Sequence, residues 1–147
     1  MKTMLISMYN DGSLDSSITS EQRHLVYHGI PFDVWSIGEL YNREEIQYEL
    51  LKHDFPTPMQ QEDVFLFAYL LWGKEAIKHL EGSYCFLIKS MDHLLAINDP
   101  LGLCPLYYTK TSEGYLFANH FSLLLAIRKQ PNILSKEGII DLFAFGP

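Results

Sequence analysis

The segment Gln60–Trp72 starts acidic, at Glu62 and Asp63, and is then apolar on nearly every side. Its length and spacing predict a helix, and a helix apolar all round must be covered on more than one face. A chain of 147 residues with 48% apolar and 20% charged residues can build such a core, but within one ordinary domain. The remaining segments therefore have to supply the layers that cover this helix.

Most of them look like strands. Residues 3–9 predict a buried strand that stops at Asn10-Asp11-Gly12. Ser17, Thr19 and Ser20 are expected to cap a short helix or lie in a loop. His24–His28 and Phe32–Ile37 predict two strands joined by a Gly29-Ile30-Pro31 turn. Asn42 is placed to cap a helix from Arg43 that has Glu44 and Glu45 in its first turn and Ile46, Leu50 and Leu51 on one face. After Gly73, residues 74–80 predict a short helical turn. Ser83–Ile88 and His93–Ile97 predict strands about a polar turn, as do Leu106–Tyr108 and Tyr115–Ala118. Ser122–Ile127 predicts a helical turn, and Lys136–Phe145 a last helix after Ser135. Two central helices with hairpins on both sides give an α+β domain in which helices pack on antiparallel sheet.

Composition removes several function classes. Net charge is −7 with scattered Lys and Arg, which argues against a nucleic-acid partner. No apolar run reaches the roughly 18–20 residues that cross a bilayer. The apolar stretch at the N-terminus is cut off by Asn10-Asp11-Gly12, too early for a signal peptide, so the expected setting is the cytoplasm. Cys85 and Cys104 lie in apolar surroundings without metal-ligand spacing and are expected to be buried thiols. The six histidines show no HxxxH or HxH pair, and no metal site is expected.

Five stretches, in order, resemble the glutaminase domain of the asparagine synthetase family, the class II glutamine amidotransferases. Gly38-Glu39-Leu40-Tyr41-Asn42 is similar to NGEIYN, and residues 63–73 to its EVILHAY…WG helix. Residues 80–86 (LEGSYCF) resemble LxGxFAF, Asp99–Tyr108 resembles RDPLGIKPLYY, and Tyr115–Ala118 matches the strand that follows. The resemblance implies the four-layer αββα sandwich of the N-terminal nucleophile hydrolases, truncated near the N-terminus. Residues 1–127 would form that domain, and residues 128–147 a linker and helix leading toward a synthetase domain. Within it, Gly102 and Pro105 are expected to turn the strands 94–97 and 106–108 back on each other. Trp72, Phe86, Tyr107 and Phe117 are expected in the core.

In this family the mature chain begins with a cysteine whose thiolate attacks glutamine, with its own α-amino group as base. Laid on the family start MCGIAGIYNxDG, this chain reads MKTMLISMYNDG, so Lys2 stands at the nucleophile position. The oxyanion-holding asparagine before Gly-Glu is Ile37, which has no donor. The acidic residue that grips the α-amine of glutamine aligns with Gln61, and the arginine-bearing HRGPD segment has no counterpart. The arginine before Asp-Pro is Asn98, and the Ser-Glu after Phe-Ala is Asn119-His120. The resemblance thus implies no catalytic residue here, and a vestigial cleft bearing Gly38, Glu39, Gln61, Asn98 and His120.

Relatives such as β-lactam synthetases and lasso-peptide cyclases adenylate a carboxylate and close a ring with an amine already on the substrate. They need no ammonia, and their glutaminase-like domains tend to be degenerate. The expectation is a non-catalytic scaffold domain of an ATP-dependent amide-forming ligase. Its partner would be a synthetase domain in cis or in trans, which alone would hold ATP and Mg, and self-association as a homodimer is left open. Two other functions stay open at this point: an active glutaminase domain of an asparagine synthetase, and a free-standing binding or regulatory module. The final helix resembles a link into the synthetase domain, which suggests a fragment.

Overall fold

The computed structural model describes residues 3–18, 22–91 and 93–127. Eight strands form two antiparallel four-stranded sheets. In the first, β3 (Gln22–Tyr27), β4 (Ile30–Leu40), β5 (Gly82–Ser90) and β6 (His93–Asn98) follow chain order. The second has the order β2-β1-β8-β7, from β1 (Leu5–Tyr9), β2 (Leu14–Ile18), β7 (Tyr107–Lys110) and β8 (Gly114–Ala118). The helices are α1 (Arg43–Lys52), α2 (Gln61–Trp72) and α3 (Phe121–Ile127), with a 3-10 turn at Gly73–Lys78.

The period of two along each strand sorts the side chains into layers. On β4 and β5, Phe32, Val34, Tyr84, Phe86 and Ile88 face α1 and α2, whereas Trp35, Ile37, Cys85 and Leu87 face the other sheet. Met4, Ile6 and Phe117 meet them across the sandwich. Behind the second sheet, Leu5, Leu116 and Ala118 pack on Leu124 of α3. The order is helices, sheet, sheet, helix, which is the αββα sandwich. Strands buried on both faces lose their alternation, which explains the apolar run at Tyr84–Ile88.

Helix α2 lies beside α1 in the first helical layer, against β4 and β5, and Val64–Ala68 are all buried. Its acidic start is buried too, and both acids are satisfied there. Glu62 accepts from Ser36 Oγ at 2.5 Å. Asp63 accepts from Arg23 Nε at 2.9 Å and from the Met59 and Gln60 amides at 2.9 and 3.1 Å, which caps the helix.

Several expectations fail for local reasons. Residues 14–18 form strand β2, so Ser17 lies in a strand and neither caps a helix nor sits in a loop; Thr19 and Ser20 lie outside the described residues. The β3–β4 turn is His28-Gly29, both with positive φ (50° and 78°), and Ile30 pairs with Tyr27 inside the ladder. A two-residue turn of that hand suits the twist of a hairpin, and Pro31 is tolerated at the strand start. Asn42 precedes α1 but spends its side chain elsewhere. It donates to His79 O at 2.8 Å and accepts from Glu81 N at 3.0 Å, tying the start of α1 to the approach to β5. Leu51 is exposed while Ile46 and Leu50 are buried. Phe86 and Phe117 are core residues, but Trp72 is half-buried at the rim and Tyr107 is 39% exposed, against Phe121. The predicted final helix, 136–145, lies outside the described residues.

The largest difference concerns residues 99–106. Strands β6 and β7 do not fold back on each other: β6 edges one sheet and β7 the other, so this segment crosses between the sheets. The buried Asp99 carboxylate organises the crossover, accepting from the amides of Leu101, Leu103 and Cys104 at 3.1, 3.0 and 2.8 Å. Burial alone would raise this carboxyl's pKa, but the backbone donors outweigh it and hold it below the usual value. A group depressed in the folded state adds stability above its unfolded value, near 3.9, and loses it as pH falls through the folded value. Asp99→Asn should therefore cost about 1–3 kcal/mol at neutral pH. In denaturant titrations of both proteins, that gap should shrink once the pH drops below about 4.

Candidate functional site

Residues predicted for one cleft separate into three places. At the end of β4, Ile37, Gly38 and Glu39 meet the start of α2 in a polar cleft of about 380 Å3. Gln61 and Glu62 form its opposite wall, with Met59 and Arg43 at the side. Gly38 has φ +88°, and a Cβ there would sit 1.9 Å from Ser83 O, so β4 and β5 touch backbone to backbone at the cleft floor. Glu39 is exposed at the rim.

Gln61 belongs to this cleft, but its amide is turned into the backbone of β4. Oε1 accepts from Leu40 N at 2.9 Å, and Nε2 reaches Gly38 O at 3.2 Å and Ser36 Oγ at 3.4 Å. The side chain satisfies the strand end where β4 gives way to the turn before α1. Ile37 points away from this polar surface. It is 7% exposed and packs in the apolar layer between the sheets with Trp35, Cys85 and Cys104.

Asn98 lies elsewhere. It lines a second, largely apolar cavity of about 330 Å3 where the open edges β6 and β7 face each other, with Met8, Leu106, Tyr108 and Phe117. Its Nδ2 donates to Asp99 O at 3.2 Å. His120 is at the start of α3, where its carbonyl accepts from Leu123 N at 3.1 Å. Neither residue joins Gly38, Glu39 and Gln61, because Asn98 is on a sheet edge and His120 lies beyond β8. Lys2 lies outside the described residues.

Two neighbours of these positions were not legible in sequence. Arg43 enters the cleft from the first turn of α1, its Nη2 donating to Met59 O at 3.1 Å. Its place four residues after Glu39, across a strand-to-helix turn, is the signal that would have found it. Asn119 is buried and clamps the start of β1: its Oδ1 accepts from Met4 N at 2.8 Å, and its backbone N–H donates to Met4 O at 3.3 Å. Among the described residues no group of three or more His, Cys, Asp or Glu is placed to hold a metal ion. No helix among them is long and apolar enough to cross a membrane.

A fold of two stacked antiparallel sheets between helices, with a polar cleft at a Gly-Glu strand end, defines an amidotransferase-type sandwich. The chain belongs to the glutamine amidotransferase domain family, whose model matches residues 15–126. It is 30% identical over 125 residues to asparagine synthetase (glutamine-hydrolyzing) 3 of Bacillus subtilis (strain 168), covering 82% of this chain and 20% of that protein. Identity to asparagine synthetase (glutamine-hydrolyzing) 1 of the same organism is 34% over 112 residues, covering 74% and 17% of the two chains. The asparagine synthetase (glutamine-hydrolyzing) of Zea mays is 38% identical over 72 residues, 48% of this chain and 12% of the relative. The chain thus spans a fifth or less of the length of these relatives. Among solved structures, glutamine phosphoribosylpyrophosphate (PRPP) amidotransferase from B. subtilis, complexed with ADP and GMP, superposes with a TM-score of 0.62. The match covers 84% of this chain and 36% of that one at 14% identity, a likeness of fold alone.

Proposed function

We propose that this chain is a non-catalytic, glutaminase-like scaffold domain of an ATP-dependent amide-forming ligase of the asparagine synthetase family. The observation that carries this reading is Ile37. At the position that holds an oxyanion-stabilising asparagine in the family, an isoleucine is committed to the apolar layer between the sheets. A buried isoleucine offers no donor to a developing negative charge, and losing one such donor lowers the rate roughly 10²–10³-fold. Gln61, at the position that grips the α-amine of glutamine, is neutral and occupied by backbone groups of β4. Lys2 stands at the nucleophile position with an amine where the family has a thiol, and a lysine side chain is a poor acyl acceptor.

A ligase that has lost its ammonia source needs an amine already on its substrate, as in peptide or β-lactam ring closure. The synthetase portion, in cis or in trans, would bind ATP and Mg and carry the reaction, in the cytoplasm. This domain's share would be to fold and to support that portion. Restoring the nucleophile alone should not restore the chemistry. Lys2→Cys is expected to show no glutamine hydrolysis above background, because the oxyanion donor and substrate clamps are still missing. Steady turnover by that single variant would show that Ile37 and Gln61 have been assigned to the wrong family positions.

A further inference from the structure

Cys85 and Cys104 are free, buried thiols whose Sγ atoms lie 3.6 Å apart, and the function proposed above uses neither. Cys85 is held in the middle of β5, the doubly covered strand, and is 0% exposed. Cys104 closes the crossover that Asp99 organises and is 8% exposed. Its sulfur also lies 3.7 Å from Ile37 O. We propose that this pair is an oxidative modification site at which a small peroxide, of the size of hydrogen peroxide, drives formation of a Cys85–Cys104 disulfide.

The geometry suits that bond and assigns the order of events. A disulfide needs the sulfurs at about 2.05 Å, so they must close by less than 2 Å, and Cys104 on a crossover segment moves more readily than Cys85 in a central strand. Cys104 is also the less buried residue of the two, and burial at this level admits a small oxidant before a bulky one. The S–H of Cys85 stabilises a thiolate on Cys104 and lowers its pKa, while the neighbouring Cys104 and then burial push Cys85 up. The first ionisation of the pair therefore falls on Cys104.

The Cys104 thiolate attacks one oxygen of the peroxide. The O–O bond breaks, hydroxide leaves and takes up a proton as water, and Cys104 becomes a sulfenic acid. The Cys85 sulfur then attacks the Cys104 sulfur, the S–O bond breaks, and the hydroxyl leaves as water with the Cys85 proton. Two thiols lose two protons and two electrons, and the peroxide is reduced to two waters. The bond would tie β5 of one sheet to the crossover into the other.

The test uses the whole chain, natively folded, exposed to hydrogen peroxide and then alkylated with iodoacetamide in denaturant. Because the chain has only two cysteines, the outcome is read directly from its intact mass. The expected product is monomeric, unalkylated and lighter by two hydrogens. It yields one peptide pair joining Cys85 to Cys104, reverts with dithiothreitol, and melts at a higher temperature than the reduced form. In Cys85→Ser, dimedone should trap a sulfenic acid at Cys104. Full alkylation of both cysteines after peroxide, over-oxidation without a cross-link, or a cross-link between two copies would each overturn the proposal. The wild-type result does not depend on that variant folding.

Discussion

Gly38→Ala is expected to abolish folding. The added Cβ would stand 1.9 Å from Ser83 O and 2.9 Å from Ser83 C, both backbone atoms of β5. A flexible side chain could rotate away from such a contact, but a paired strand cannot. Relief would require prying apart β4 and β5, which are in register from Asp33↔Lys89 to Leu40↔Gly82 and form the spine of the first sheet. The φ of +88° adds roughly 1–2 kcal/mol for any residue with a Cβ. Against a typical stability of about 5–15 kcal/mol, the clash and the backbone penalty together leave little folded protein. Circular dichroism of the variant should show no cooperative melt. Glu39→Ala, one residue on and exposed, should melt within a few degrees of wild type. A cooperative melt of Gly38→Ala near the wild-type temperature would mean that the two strands are not this close.

Phe117→Ala, an aromatic truncation between the sheets, should cost about 3–5 kcal/mol. Its ring is buried on the inner face of β8 against the layer formed by Met4, Ile6, Trp35 and Cys85, and it stacks with Tyr108 and Tyr115. Removing it would leave a cavity that two paired sheets cannot collapse around. Asn98→Ala and His120→Ala should each cost under about 1 kcal/mol. Asn98 is exposed on β6 and its hydrogen bond is to the carbonyl of the next residue, while His120 contributes its backbone to the start of α3. Denaturation midpoints of the three variants settle the contrast. A loss from Asn98→Ala as large as that from Phe117→Ala would mean that the cavity between β6 and β7 is closed by a polar network.

Elements with strong periodicity were legible in sequence. The buried helix at 60–72, the paired strands at 83–88 and 93–97, and the α+β class all follow from apolar spacing and turn residues. What spacing does not carry is where a strand goes after its turn. The segment 99–106 looks like a hairpin, but the Asp99 cradle of three amides makes it a bridge between sheets. Site positions suffered in the same way. Ile37, Gly38, Glu39 and Gln61 converge because β4 ends against the start of α2, whereas Asn98 and His120 adjoin family motifs without adjoining that cleft. Asn119 took up a role that depends on the start of β1 meeting the end of β8, 115 residues away in sequence, which local pattern cannot encode.

The proposed loss of glutaminase chemistry from this amidotransferase fold can be measured as ammonia release from glutamine. The 147-residue chain should be incubated with L-glutamine while ammonia is followed, and in parallel with 6-diazo-5-oxo-L-norleucine while its intact mass is followed. Ammonia at the buffer-only rate and no covalent adduct are expected. Enzymatic ammonia production, or stoichiometric labelling at an N-terminal residue, would contradict that loss.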